Sequence, residues 1–143
     1  MFGNTKRVAE VIGKSICGNE KMEVLVKEIK HVQPMVTLDY DVILIGSPNH
    51  MGGPTRGVKK FIDKLGKVGL VGKNGAVFDT YVKKNVGKAV RKMEKRITQK
   101  VSGLEIINAG LSVKVGGVRG PVEKEELPKC IAFGKKIAKQ IID

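Results

Sequence analysis

The sequence is poor in several residue types, and each scarcity excludes a class of protein. Among 143 residues there are two cysteines and no tryptophan, and aromatic residues make up 4% of the chain. Cys17 and Cys130 exclude a disulfide scaffold and a CxxC metal site, so a reducing cytoplasm is the expected compartment. No window holds the ~20 consecutive apolar residues of a membrane span, and no secretory signal is visible. We therefore expect a cytoplasmic protein with no membrane span.

Acidic residues are also scarce, with 14 Asp and Glu against 27 Lys and Arg, which gives a formal net charge of +13. Such a charge attracts acidic proteins, polyanions or membrane surfaces. It suits a solvated, lysine-rich surface equally well, and we favour that plainer interpretation. The length lies near the ~100–150 residues typical of one domain. With a hydrophobic fraction of 41%, it predicts one folded domain over residues 1–143.

Helix-like and strand-like segments alternate along the chain. Apolar residues recur at helical spacing in residues 5–16, 56–65, 85–98 and 125–142. Short apolar or alternating runs predict strands at residues 23–29, 41–46, 75–81, 104–109 and 111–115. This alternation implies right-handed crossovers and a parallel sheet with helices on both faces. Ligands of such sheets bind beyond the carboxyl ends of the strands.

Three segments can form one site at that edge. Phe2-Gly3-Asn4-Thr5 opens the first helix, where glycine, free amides and the helix dipole suit a phosphate. A glycine-rich loop at residues 47–54 follows the strand at residues 41–46 and can lie against a flat ring. Asp79-Thr80-Tyr81 ends the next strand, and its tyrosine can stack on such a ring. Taken singly, each segment also has an ordinary role as a helix start, a polar loop or a strand end, and Asp79 can serve as a helix-capping or loop carboxylate.

In order and spacing, these segments resemble the flavodoxin family. F-G-N-T followed by K-R-V-A-E-V-I is similar to the second half of the flavodoxin phosphate loop and its helix. D-Y-D-V-I-L-I-G-S-P-N-H-M-G-G-P and G-A-V-F-D-T-Y resemble the strands that lead into the two flavin-facing loops. The resemblance runs from residue 1 to residue 143. It implies a three-layer sandwich that holds FMN non-covalently and passes electrons between redox partner proteins.

The resemblance also implies a role for each segment. The first segment would hold the phosphate, the other two would flank the isoalloxazine, and Ser47 would lie at the strand end. The candidate cofactor-binding residues are Phe2, Gly3, Asn4, Thr5, Ser47, Pro48, Asn49, His50, Met51, Gly52, Gly53, Asp79, Thr80 and Tyr81.

The chain departs from the flavodoxin pattern at its start. Met1 lies inside the phosphate loop, so the family's first, central strand is missing. We expect Met1 to be an internal methionine of a longer protein. Otherwise, the strand at residues 23–29 shifts to pair with the strand at residues 41–46, or a second chain donates a strand. Because the phosphate loop loses its anchored beginning, FMN binding by this short chain needs a direct test.

Two further departures concern the ring and the charge. Asn49-His50-Met51 stands where many relatives place a Trp or Tyr, so ring stacking does not follow from the resemblance. Typical flavodoxins are acidic, whereas this chain is basic, so we expect any redox partner to be acidic. Residues 83–100 hold eight basic residues against one acid, Glu94. No RNA-binding motif accompanies them, which makes a nucleic-acid role the weaker interpretation.

An electron carrier is favoured over a stand-alone oxidoreductase. No carboxylate pair, Ser-His-Asp set or metal-ligand cluster stands out as catalytic, so the chemistry would reside in the flavin. Two alternatives remain open. One is an FMN-dependent quinone or small-molecule reductase on the same fold. The other is a non-redox binding module whose truncated phosphate loop no longer holds FMN.

Overall fold

The computed structural model describes residues 3–18, 22–117 and 120–142, and it confirms the alternation of helices and strands. The strands within these ranges are β1 (Val42–Pro48), β2 (Asn74–Tyr81), β3 (Glu105–Ile106) and β4 (Leu111–Lys114). The α-helices are α1 (Asn4–Cys17), α2 (Arg56–Leu65), α3 (Lys88–Lys100) and α4 (Leu127–Ile142). Short 3-10 helices cover Ile29–His31, Pro34–Asp39 and Lys124–Glu126.

β2 is the central strand of a parallel sheet. β1 pairs with it along its whole length, from Val42 opposite Asn74 to Pro48 opposite Thr80. On the other edge, β3 pairs with the start of β2 and β4 pairs with its end. The strands predicted at residues 104–109 and 111–115 are therefore shorter than expected. The interior of β2 is buried on both faces, as in other parallel sheets covered by helices.

Helices cover both faces of the sheet and enclose two hydrophobic clusters. One face of β2 presents Val77 to a cluster that includes the apolar stripes of α2 and α3. The other face presents Ala76 and Phe78 to a cluster with α1 and α4. The structure thus has the three layers and the parallel sheet that the sequence predicted. Within the described ranges, no helix combines the length and the hydrophobicity needed to cross a membrane.

The strand predicted at residues 23–29 does not form. Residues 22–28 have no regular secondary structure, and a 3-10 turn follows at Ile29–His31. This segment packs instead beside α1, where a Cβ built on Gly13 would lie 3.1 Å from a methyl group of Val24 and of Val26. A strand requires a neighbouring backbone to pair with. Here the alternation of apolar residues serves side-chain packing alone, and the segment does not pair with β1.

β1 accordingly has one paired edge among the described residues. The bonds at its two ends join Asp41 to Asn74 and Asn49 to Thr80, so the odd-numbered residues face β2. Successive residues of a strand direct their backbone groups to opposite edges. Val42, Leu44 and Gly46 therefore direct theirs away from β2, and no described residue bonds to them.

The two cysteines lie in different environments. Cys17 is exposed, whereas Cys130 is buried in the cluster between α1 and α4. Burial raises the pKa of the Cys130 thiol to about 11. Cys130 therefore behaves as a small packing residue.

A buried carboxylate fastens the start of α4 to β4. Glu126 is 5% exposed, and it accepts hydrogen bonds from the backbone amide of Lys114 (2.8 Å) and from the Lys129 ammonium (2.8 Å). Burial alone would raise the pKa of this carboxyl. The hydrogen bonds from Lys129 and Lys114 outweigh burial, so its pKa lies below the ordinary value.

We expect Glu126→Ala to lower the free energy of unfolding by about 1–3 kcal/mol, because the Lys114 amide loses its acceptor. Since the folded-state pKa is depressed, this stabilisation is present above the ordinary carboxyl pKa of 4.5. It is lost as the pH falls through the folded-state value. Urea unfolding of both proteins at about pH 7 and about pH 3.5 measures the difference.

Glu125→Ala is the matched control, because Glu125 lies in the same turn and is exposed. It should change stability by less than about 0.5 kcal/mol. Equal losses in the two variants, or a loss at Glu126 that does not shrink in acid, would contradict the assigned role.

Candidate functional site

Three segments of the chain meet at the carboxyl end of β2. Asn49, the first residue after β1, donates to the Thr80 carbonyl from its backbone amide (2.9 Å) and from Nδ2 (3.2 Å). The Thr5 hydroxyl, in the first turn of α1, lies 3.4 Å from the Thr80 hydroxyl. The three predicted segments therefore adjoin one another at one edge of the sheet, with Thr80 between them. Phe2, also predicted here, lies outside the described residues.

α1 begins without a side-chain cap. Its N-cap residue is Gly3, at φ 92°, and the first bond within the helix joins the Arg7 amide to the Gly3 carbonyl (2.8 Å). No described residue accepts a hydrogen bond from the amides of Thr5 or Lys6. A Cβ built on Gly3 would meet nothing within 4 Å. Free amides and the positive end of the helix dipole favour an anion there.

A fourth segment borders the start of α1, and it was not among the predicted site residues. Asn4 Nδ2 donates to the Gly117 carbonyl (3.0 Å). Gly120 has a φ of 91°, so another residue would be strained there, and a Cβ built on it would lie 2.5 Å from Asn4 Oδ1. The Val115 amide, just after β4, donates to the Tyr81 carbonyl (2.9 Å). In the sequence, this fourth segment is marked by the closely spaced Gly116, Gly117 and Gly120 after β4.

The chain makes a tight turn at His50–Gly53. The His50 amide donates to the Gly53 carbonyl (2.7 Å), and the Gly53 amide donates back to the His50 carbonyl (3.2 Å). Met51 (φ 53°) and Gly52 (φ 78°) are both left-handed, as the central residues of a type I′ turn are. Met51 is 93% exposed, so this side chain projects into solvent at the rim of the site.

Ser47 closes the base of the same loop. Its buried hydroxyl donates to the Pro48 carbonyl (2.8 Å) and accepts from the Thr55 amide (3.1 Å). The Thr55 hydroxyl in turn caps α2 by accepting from the Val58 amide (3.3 Å). The Ser47 hydroxyl thus shapes the loop and is already occupied by protein groups.

The Asp79 side chain points into the protein rather than towards the rim. It is wholly buried, and it accepts hydrogen bonds from the Val90 amide (3.0 Å) and from the Ser112 hydroxyl. The amide of Val90 belongs to the first turn of α3. The positive end of the helix dipole favours a carboxylate at this place.

Two further side chains complete the cap of α3. The N-cap residue is Gly87, which has no side chain. Asn49 Oδ1 accepts from the Ala89 amide (3.0 Å), and the Ser112 hydroxyl accepts from the Gly87 amide (2.9 Å). Asn49 and Asp79 were predicted to flank a ring. In the structure, both side chains accept hydrogen bonds from the first turn of α3 and so connect the site's segments to that helix. Tyr81 is half-buried and His50 is exposed.

Comparison with known proteins identifies the fold. No protein-family model and no curated protein matches the chain, but many solved structures do. A flavodoxin from the domain Archaea has a TM-score of 0.85 at 24% identity, covering 100% of this chain and 94% of its own. Flavodoxin 2 from Bacillus cereus has a TM-score of 0.83 at 28% identity, covering 98% of this chain and 93% of its own.

A larger protein contains the same fold as one part. Rubredoxin oxygen:oxidoreductase from Desulfovibrio gigas has a TM-score of 0.80 at 17% identity, and the match covers 99% of this chain but 34% of that one. The class is therefore an α/β protein with a parallel sheet between two helical layers. In particular, the chain has a flavodoxin-like fold.

We expect Asp79→Ala to destabilise the protein by about 1–3 kcal/mol, because the buried Val90 amide loses its acceptor; the half-buried Ser112 hydroxyl should add less. Asp79→Asn has nearly the same shape and keeps one carbonyl oxygen, so it should lose less. Urea unfolding followed by circular dichroism measures both variants. Equal losses for the two substitutions would show that the side chain's shape matters here rather than its hydrogen bonds.

Proposed function

We propose that this chain is an FMN-binding electron-transfer protein. The observation that carries the proposal is the meeting, around Thr80, of an uncapped helix start and a glycine turn at the carboxyl edge of a parallel sheet. The flavodoxin-like fold supports it, since two of the solved structures that match nearly the whole chain are named flavodoxins. The three segments that adjoin are the same three that the family resemblance assigns to FMN.

The start of α1 fits the phosphate of FMN. The amides of Thr5 and Lys6 have no acceptor among the described residues, and amides at a helix start can donate to phosphate oxygens. The Thr5 hydroxyl adds a donor, and the exposed Lys6 and Arg7 side chains add positive charge. A Cβ built on Gly3 would meet nothing within 4 Å, so the described residues leave room for the group.

The turn at His50–Gly53 and the end of β2 fit the ring. Gly52 and Gly53 are buried beside the lysine stems of α3, so the exposed His50 and Met51 side chains are the part of the turn that a flat ring can approach. Tyr81, half-buried at the strand end, offers an aromatic face for stacking, and Met51 offers an adaptable thioether. Asn49 and Asp79 hold these segments in place through α3, so we assign them a positioning role.

Bound FMN would supply one-electron chemistry, and the protein would supply binding and orientation. The chain's own groups would hold the phosphate at α1 and fix the ring at the rim. The exposed Met51 marks the side from which a partner protein can reach the ring.

Titration of FMN into the purified protein tests the proposal, with quenching of flavin fluorescence as the readout. We expect saturable, equimolar binding. Thr5→Glu should weaken FMN binding at least about tenfold, because it places a carboxylate where the phosphate would lie. It should weaken riboflavin binding less, since riboflavin has no phosphate. A carboxylate in the first turn of a helix suits the helix dipole, so the variant should remain folded.

Thr98→Glu is the matched control, because it makes the same change at an exposed position of α3. Its FMN affinity should equal that of the unmodified protein. If neither FMN nor riboflavin binds to the unmodified protein, the electron-carrier function fails and the non-redox binding module is favoured. Rapid bleaching of bound FMN by NADH or NADPH without a partner would favour the reductase instead.

A further inference from the structure

A pocket of about 280 Å³ opens between α2, α3 and the loop after β1. Pro54 and Gln99 form part of its wall. Its other lining residues are basic, and these are Lys59, Lys92, Lys95, Arg96 and Lys100. No Asp or Glu lines it. The pocket therefore gathers positive charge from two helices into one concave surface, which we call the basic pocket.

Most of this charge is not balanced by the protein. Arg96 makes a two-pronged ion pair with Asp63, at 2.8 and 2.7 Å. Each of the four lysines lies beyond ion-pair distance of every acidic side chain that the structure describes. Glu94, the acid within α3, does not line the basic pocket. Lys100 interacts electrostatically with Asp63, so Lys59, Lys92 and Lys95 are the three lysines of the pocket that no described acidic side chain balances.

The basic pocket lies beside the candidate flavin site. A Cβ built on Gly53 would lie 3.2 Å from Lys92 Cδ, and one built on Gly52 would lie 3.7 Å from Lys88 Cδ. The lysine stems of α3 therefore rest against the His50–Gly53 turn. The exposed Met51 belongs to the same turn, so a molecule seated on the basic pocket would also reach the rim of the site.

We infer that the basic pocket, together with the adjoining His50–Gly53 turn, docks the acidic surface of a partner protein. This inference rests on the proposed function and names the class of its partner. Carboxylates on a folded surface complement the three ammonium groups that no described acidic side chain balances, and such complementarity speeds and orients docking. The partner's own redox centre would then face the rim at Met51.

Two other polyanions fit this surface less well. Single-stranded nucleic acid is held by aromatic side chains on which bases stack, and no aromatic residue lines the basic pocket. A helix that lies on a membrane inserts an apolar face. The apolar face of α3, including Val90, Met93 and Ile97, is buried in the core.

Binding to fluorescent poly-L-glutamate, followed by anisotropy, tests the inference on the full chain incubated with FMN. We expect the double variant Lys92→Glu with Lys95→Glu to bind the probe at least about tenfold more weakly. The control is Lys135→Glu with Lys136→Glu, which makes the same charge change at exposed positions of α4 on the opposite face of the sheet. It should change binding by less than about twofold, measured at roughly 20 mM salt.

Equal weakening in the two double variants would overturn the inference, because net charge alone would then explain binding. So would a stronger, pocket-dependent affinity for oligo-dT or for phosphatidylserine vesicles, which would assign the basic pocket to nucleic acid or to a membrane. FMN titration of the same samples separates the two proposals. If FMN does not bind but the pocket variant still binds the probe more weakly, the flavin function fails and the docking surface stands. If FMN binds but probe binding does not depend on the pocket, the docking inference fails and the flavin function stands.

Discussion

Most amides at the start of α3 are not satisfied by the residues beside them, because the N-cap residue is Gly87 and the nearby Asn85 carbonyl accepts only from the Lys88 amide. Three side chains from other segments accept from the others instead: Asn49 from the loop after β1, Asp79 from β2 and Ser112 from β4. Each buried amide left without an acceptor would cost about 1–3 kcal/mol. The shape of the candidate site depends on this cap, because it ties two of the site's segments to one helix end.

The two helix starts on this edge of the sheet contrast with each other. The amides at the start of α3 are bonded to three side chains and to the Asn85 carbonyl. No described residue accepts from the amides of Thr5 and Lys6 at the start of α1, and amides at such a helix start can donate to an anion. This asymmetry gives the proposed phosphate position a structural argument that does not depend on the family resemblance.

The sequence predicted the elements whose signals are local. The helix expected at residues 56–65 forms as α2, Arg56–Leu65, because its apolar stripe and the Thr55 cap lie within a few residues of each other. The predicted strand at residues 23–29 was wrong, since alternation shows which face is apolar but not whether a backbone lies alongside. Val86 was placed inside a helix, yet it is 52% exposed and precedes α3. The inward direction of Asp79 depends on Val90 and Ser112, which no local pattern connects to it.

The edge of β1 that faces away from β2 is unpaired among the described residues, and this affects how copies of the chain behave together. Backbone donors and acceptors that face outward at Val42, Leu44 and Gly46 can pair with the same edge of another molecule and begin aggregation. A formal net charge of +13 opposes that approach, since like-charged molecules repel until salt screens them within a Debye length of about 3 Å at 1 M. Electrostatic repulsion between basic copies of the chain should therefore oppose pairing through the β1 edge. This repulsion weakens as ionic strength rises.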